Sequence, residues 1–474
     1  MRFITMPFIG GAYADDTKPY DQQDCVNYMP EMAEGPGGRS PSIERGVPGM
    51  RRIVDAGDGP VRGLHNCEGI LFMVRGQTLY QVNADYSLTS LGTIPGVGRC
   101  PMTHNTVNNG YQVTVVNGNA GYVYNTATSD FVQITDDGFY GSIMCDFCDN
   151  YICHLEPYGR FWFISDLSDA TSFTSGQTYQ AEASPDRINS LIVDHRQVWA
   201  LGARTCEVFV DSPTFNDDSG VEVLVQVFQR SEGTLMEEGC ASVFARGQLD
   251  NTIYFLGSDG IVYRADGYTP VRVSNFAVEQ DIAKCNLSQC YAYTWVDHGH
   301  KVFYLTFPDG HTWGYDVATQ LWHRRQSYGR NNWRVSCLEN WNGVWIAGDA
   351  IDGRLYALDW NVFDEDGAPL VAERTSPYST EAQNRILQAA MEVVMDTGYG
   401  ALNGDNYVNL AYSDDGGRNY SNWKQVSLGK VGQYGTRVQF FRLGQFRSRI
   451  FRLQVSSPVK RDLIAVSGVF KEAA

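Results

Sequence analysis

Cys145, Cys148, Cys153 and His154 come nearest to metal chemistry in this chain, as a Cys-x-x-Cys pair followed by Cys-His. Thiolate and imidazole are the ligands zinc prefers, but a structural zinc site draws two close pairs from separate turns. Cys153 and His154 are adjacent in a segment with strand character, which aims them at opposite faces. They read as ordinary core and surface positions, and no metal site is assigned. His298 and His300, in DHGHK, fall at a hairpin turn and read as a solvated pair. Asn83, Asp166, Asp266 and Asp359 each follow an aromatic strand residue. Side chains of this kind bond their own backbone and start the next turn, which accounts for every copy without a ligand role.

Hydrolytic chemistry has even less to stand on. G-x-S-x-G, H-E-x-x-H and G-x-x-x-x-G-K-[ST] are all missing from the sequence. SDDGGRNY, Ser413 to Tyr420, resembles the Asp-box turn of sialidase-like propellers, where Asp takes turn amides and Gly supplies positive φ. That turn is structural even in those enzymes. Glycoside hydrolysis of that type needs clustered arginines and a Tyr nucleophile paired with an acid, and no motif gathers such a set. Arg442, Arg447, Arg449 and Arg452 punctuate strand sequence and fit an exposed face, solvated or turned to an acidic partner. Trp313, Trp322 and Trp333 fit packing at sheet faces; if exposed, they could stack on sugars. A carbohydrate-binding or glycan-degrading propeller is therefore kept as the alternative function. No catalytic, cofactor-binding or metal residue is assigned, no cofactor is expected, and the protein is expected not to be an enzyme.

The elements that would position these residues are strands. Hydrophobic residues make up 43% and aromatics 13% of 474 residues, with 27 Tyr and 10 Trp, a mix suited to half-buried pleated surfaces. A two-strand unit recurs: an apolar strand, a short turn, then a strand centred on an aromatic residue. Its anchors are Tyr80, Tyr124, Phe163, Phe209, Tyr263, Tyr315 and Tyr356, separated by 44, 39, 46, 54, 52 and 41 residues. This is the spacing of propeller blades: each unit has two apolar faces it cannot cover alone, so neighbours must stack around an axis. The expected fold is all-β, a β-propeller of seven blades, or six if one copy is an inserted hairpin, with a C-terminal β-sandwich-like domain.

Three domains follow: an irregular N-terminal arm over residues 1–45, the propeller over 46–375 and the sandwich over 376–474. Tyr13, Tyr20 and Tyr28 favour an arm bound to a neighbouring molecule. A chain without residues 1–40 is accordingly expected to fold as a monomer and fail to assemble. NFAVEQDIAKCNLSQC, 275 to 290, has helical periodicity and is expected as a short insertion on one rim.

Charge and cysteine content limit the partners. With 54 acidic and 37 basic residues the net charge is −17, against a protein that gains affinity by neutralising DNA phosphates. Eleven scattered cysteines in a chain this long read as reduced thiols. The start lacks signal-peptide character and no long apolar run exists, so synthesis in a cytoplasm without a membrane span is expected.

The segment from Gly159 to Phe209 resembles the packaged-DNA stabilisation, or tail-hub, proteins of short-tailed bacteriophages. Trp162 to Leu167, Tyr179, Ala181, Glu182, Ser184, Pro185, Asp186, Glu207 and Phe209 follow that family's pattern. NYMPE, RGVPGM, the helical insertion and RLGQFRSRIFRLQVSSPV agree in order, so the resemblance spans nearly the whole chain. It implies a structural virion component made in the bacterial host cytoplasm and carried in the tail. Its implied partners are itself in a ring of six, the portal-adaptor ring, the tail needle, and tailspikes or fibres. It would help retain packaged DNA by closing the channel, with DNA passing nearby without specific binding.

Overall fold

The computed structural model of the chain describes residues 3–35, 38, 40–216, 223–381, 384–399 and 406–472. Among them, seven four-stranded antiparallel sheets follow one another, with first strands Val61–Cys67, Met102–Val107, Met144–Cys148, Ile188–Asp194, Arg246–Leu249, Tyr291–Asp297 and Val335–Trp341. Each first strand lies beside the next, and the seventh returns to the first, so the sheets are blades of a closed ring. All seven aromatic anchors sit on the third strand of their blade. Apolar clusters fill the spaces between successive blades, as between the first and second, where Phe72, Val74 and Leu79 meet Val113, Val115 and Tyr122.

Local turn chemistry sets the first hairpin. In six of the seven described blades its two-residue loop has both residues at positive φ, as in Asp149 (48°) with Asn150 (69°) and His298 (48°) with Gly299 (85°). Such turns match the right-handed twist of the strands they join.

The seventh blade takes its fourth strand from the other end of the ring. Gly49–Val54, upstream of the first blade, pairs antiparallel with Leu355–Asp359, from Gly49 opposite Asp359 to Val54 opposite Leu355. Gly49 is needed because a Cβ there would meet the Val362 and Asp364 carbonyl oxygens at 2.4 and 2.5 Å.

A β-sandwich follows. One sheet is built on Ile386–Met395, Val438–Phe446 and Leu463–Glu472; the other on Ala372–Thr375, Tyr407–Ser413, Lys424–Ser427 and Ser448–Val455. Met391, Val393 and Phe440 meet Leu410, Phe451 and Leu453 in its core.

The irregular arm expected over residues 1–45 is corrected. Phe3–Met6 pairs with the C-terminal strand, and Tyr28–Met32 pairs with Ser42–Gly46, which reaches the same sheet through Glu44 opposite Leu463. Cys25–Val26 joins the sixth blade to the sandwich: Val26 pairs in parallel with Arg324 and antiparallel with Glu373. Tyr28, expected to meet a neighbour, is 2% exposed inside its own chain. The physical reason is that short strands unable to bury a face alone add to open sheet edges. The insertion is the helix Phe276–Ile282, capped by the Asn275 side chain accepting from the Val278 amide, then a single turn at Leu287–Gln289.

Candidate functional site

The positions singled out for chemistry are dispersed by the fold. Cys145 and His154 are cross-strand partners on one face of the third blade, while Cys148 and Cys153 pack in the cluster on its other face. His154 lies among Phe139, Phe163 and Phe173, and burial pushes its pKa down to about 3. Among the described residues no three His, Cys, Asp or Glu gather in a metal-binding group. His298 is exposed at its turn, but His300 is not solvated as expected: its Nδ1 lies 2.6 Å from Asp316, which is fully buried. The strand pleat turns His300 inward one step beyond the loop.

Trp313, Trp322 and Trp333 are 5%, 2% and 1% exposed, so they have no ring face for a sugar. In SDDGGRNY, Asp415 accepts from the Arg418 and Asn419 amides, which hold its carboxyl down at about 2, and Gly416 and Gly417 have positive φ. Of the late arginines, Arg442 and Arg447 are exposed, but Arg449 is buried against Asp414 (2.5 Å) and the Tyr412 ring, and Arg452 lies over Tyr420. The expected single exposed face is therefore corrected: half of these arginines pack within the sandwich.

The fold does gather arginines elsewhere, with no sequence signal to announce it. Arg62, Arg99 and Arg246, from different blades and their connections, meet at the propeller axis. Tyr291, whose ring lies under Arg99, donates its hydroxyl to the Val335 carbonyl (3.2 Å), and no carboxylate hydrogen-bonds it among the described residues. Its pKa is raised by burial. A neutral phenol tied to a backbone oxygen is not a poised nucleophile.

What the molecule builds with most care is the joint between its domains. Arg374, fully buried, donates to the Phe8 carbonyl (2.6 Å), the Asp24 carbonyl (2.9 Å) and Gln23 (3.0 Å), and lies 3.2 Å from Glu44. Glu44 is also fully buried and accepts from the Gly10 amide (2.8 Å). Burial pushes its carboxyl up to about 7, against the pull of Arg374. Asn27, at φ 55°, donates to the Gln326 and Val371 carbonyls (2.9 and 2.8 Å) and accepts from the Gln326 amide (3.0 Å). One side chain thus clamps the sixth blade to the strand leading into the sandwich. Arg325 reaches the Pro48 carbonyl (2.6 Å), and Arg461 binds the Leu370 and Phe363 carbonyls. Sequence reasoning missed this set; an adjacent Glu-Arg pair inside a short strand, as in SIERG or VAERT, was the available signal.

The residues that carried the resemblance are also structural. Trp162 stacks on Tyr179 (4.3 Å between centroids) and meets Phe209 edge-on. Glu207, 1% exposed, accepts from the Glu182 and Ala183 amides (3.1 and 3.0 Å), and Asp186 accepts from the Arg204 and Thr205 amides. They pin the long connection between the third and fourth blades. On the rim, Lys284 (2.8 Å) and Gln280 of the helical insertion bind Asp16, so the N-terminal segment covers part of it. Phe276 remains 62% exposed there.

Rigid ring, interlocked sandwich and carboxylates engaged in turns and clamps define a scaffold protein of the propeller-plus-sandwich class. Residues 4–363 match the family described as "Bacteriophage P22 Gp10, beta-propeller", and residues 373–467 match "Bacteriophage P22 Gp10, beta-sandwich". The chain belongs to this family of phage stabilisation proteins and is a structural component of a phage tail. No curated protein matches it significantly. Among solved structures, the computationally designed Ika8 protein is similar over 75% of this chain and 99% of its own, at 13% identity and a TM-score of 0.38, too distant to carry an argument. No helix among the described residues is long and apolar enough to cross a membrane.

Proposed function

We propose that this protein is the hub of a short-tailed phage tail, assembled as a ring of six copies between the portal-adaptor ring and the needle and spikes or fibres. It would be made in the host cytoplasm and carried in the virion, where it helps retain packaged DNA by closing the channel. The observation that carries this is the unbroken run of the sixth-blade sheet into the sandwich through residues 25–26 and 372–375. A part that holds different partners at its two ends and bears internal pressure must not flex between them, and hydrogen-bonded strand continuity supplies that stiffness.

Ring assembly requires two different complementary surfaces on each copy. The strands Phe3–Met6, Cys25–Val26 and Tyr28–Met32 are paired within the chain, so exposed tips such as those bearing Tyr20 (67% exposed), Val97 (89%) and Tyr158 (71%) suit the contacts better. The net charge of −17 suits a wall past which duplex DNA slides without specific binding. Electron microscopy of the protein mixed with a portal-adaptor complex tests the proposal. Added ring density of six copies with central closure is expected; unbound monomers beside an unchanged portal-adaptor would overturn it.

A further inference from the structure

The propeller axis holds a cavity of about 240 Å³ to which Arg62, Arg99 and Arg246 all contribute. Each guanidinium is fixed by neutral groups. Arg62 donates to the carbonyls of Gly76 and Ile94 (2.9 Å each), Gly98 (2.6 Å) and Pro95 (3.3 Å). Arg99 crosses the axis to the Ser336 carbonyl (2.7 Å) and lies over the Tyr291 and Phe244 rings, 4.3 and 5.4 Å from their centroids. Arg246 donates to the Leu191 carbonyl (3.1 Å) and approaches the Met144 sulfur (2.9 Å).

Among the described residues none of the three is within ion-pairing distance of a carboxylate. The nearest balancing group on the cavity wall is Asp146, which accepts from the Val193 amide (2.9 Å) and whose carboxyl burial pushes above its usual range. Three positive charges therefore face at most one negative charge in a chain whose net charge is −17. Arg62 is buried, Arg99 and Arg246 are half-buried, and planar guanidinium forks short of counter-charge match the oxygens of carboxylate and phosphate.

We propose that the axial cavity binds a small multivalent oxyanion, phosphate or a di- or tricarboxylate, held by Arg99 and Arg246 and favoured by the charge of Arg62. A bound anion would add to the ties that Arg99 and Arg246 already make between blades that are not neighbours.

Isothermal titration calorimetry of the full chain tests this, with sodium phosphate and sodium citrate as separate probes at constant ionic strength and sodium chloride as the blank. Saturable heat from at least one probe is expected, with Kd below about 1 mM. Arg99→Gln should weaken it at least tenfold. Asp146→Asn, which removes the competing charge, should tighten it several-fold, so a variant expected to gain affinity stands beside one expected to lose it. The proposal is overturned if neither anion gives saturable heat with the unaltered protein, or if both variants bind as it does.

Discussion

The propeller and the joint that fastens it to the sandwich are held together by opposite means. In the ring, apart from the closing strand Gly49–Val54, strands pair with neighbours close in sequence, and apolar clusters join successive blades. In the joint, the decisive bonds span the chain: Asn27 to Gln326, Arg374 to Phe8, and the Gly46 amide to Asp462 (3.0 Å). Apolar repeats specify a shape many sequences could share, whereas a buried charge tolerates few alternative partners. The difference teaches that local pattern makes the body of this molecule, and long-range polar contacts fix how its two ends are mounted.

The largest effect should come from removing the joint outright. Deleting residues 1–32 strips strands from the sandwich, and calorimetry should find its unfolding transition gone and the chain aggregating; an unchanged melt would erase the contrast. Arg374→Met leaves Glu44 buried without its cation, at a cost of about 3–5 kcal/mol in chemical denaturation. That loss should be greater at pH 8 than at pH 5, where Glu44 can protonate. Gly49→Val drives a side chain into the Val362 and Asp364 carbonyls and should cost about 3 kcal/mol, read as a lower melting temperature of the propeller.

Titration sharpens the comparison further. Burial holds His65, His154 and His323 of the propeller at about 3, below the ordinary 6.5. The unfolded chain takes up these protons first, so the ring loses stability as pH falls from 6.5 towards 3. Glu44 in the joint is shifted the other way, to about 7 from 4.5, so its contribution worsens as pH rises through that window. Calorimetric scans between pH 4 and 8 should show the ring favoured by the higher pH and the joint by the lower. Smallest of all, Lys284→Ala removes an exposed pair with Asp16 and should change stability by less than about 1 kcal/mol.

The ring was legible because one strand period and one turn chemistry recur, and aromatic anchors such as Tyr263 and Tyr315 mark every copy. What closes it was not: Gly49–Val54 looks like any short strand, and its partner lies some three hundred residues away. The N-terminal strands were hidden for the same reason, since Cys25–Val26 has no pattern of its own and acquires strand geometry only against Arg324 and Glu373. The axial arginines carry no motif because Arg246 meets Arg62 and Arg99 only when the circle closes. Turn position alone does not place His300, because the strand pleat turns it inward onto Asp316.

The borrowed strand of the seventh blade also sets an order of events at the ribosome. Gly49–Val54 is made before any blade, yet its partner is made after six of them, so a nascent chain must carry an unpaired edge through most of its synthesis. A translation product cut short before Leu355–Asp359 therefore has no complete wheel to contribute to a virion.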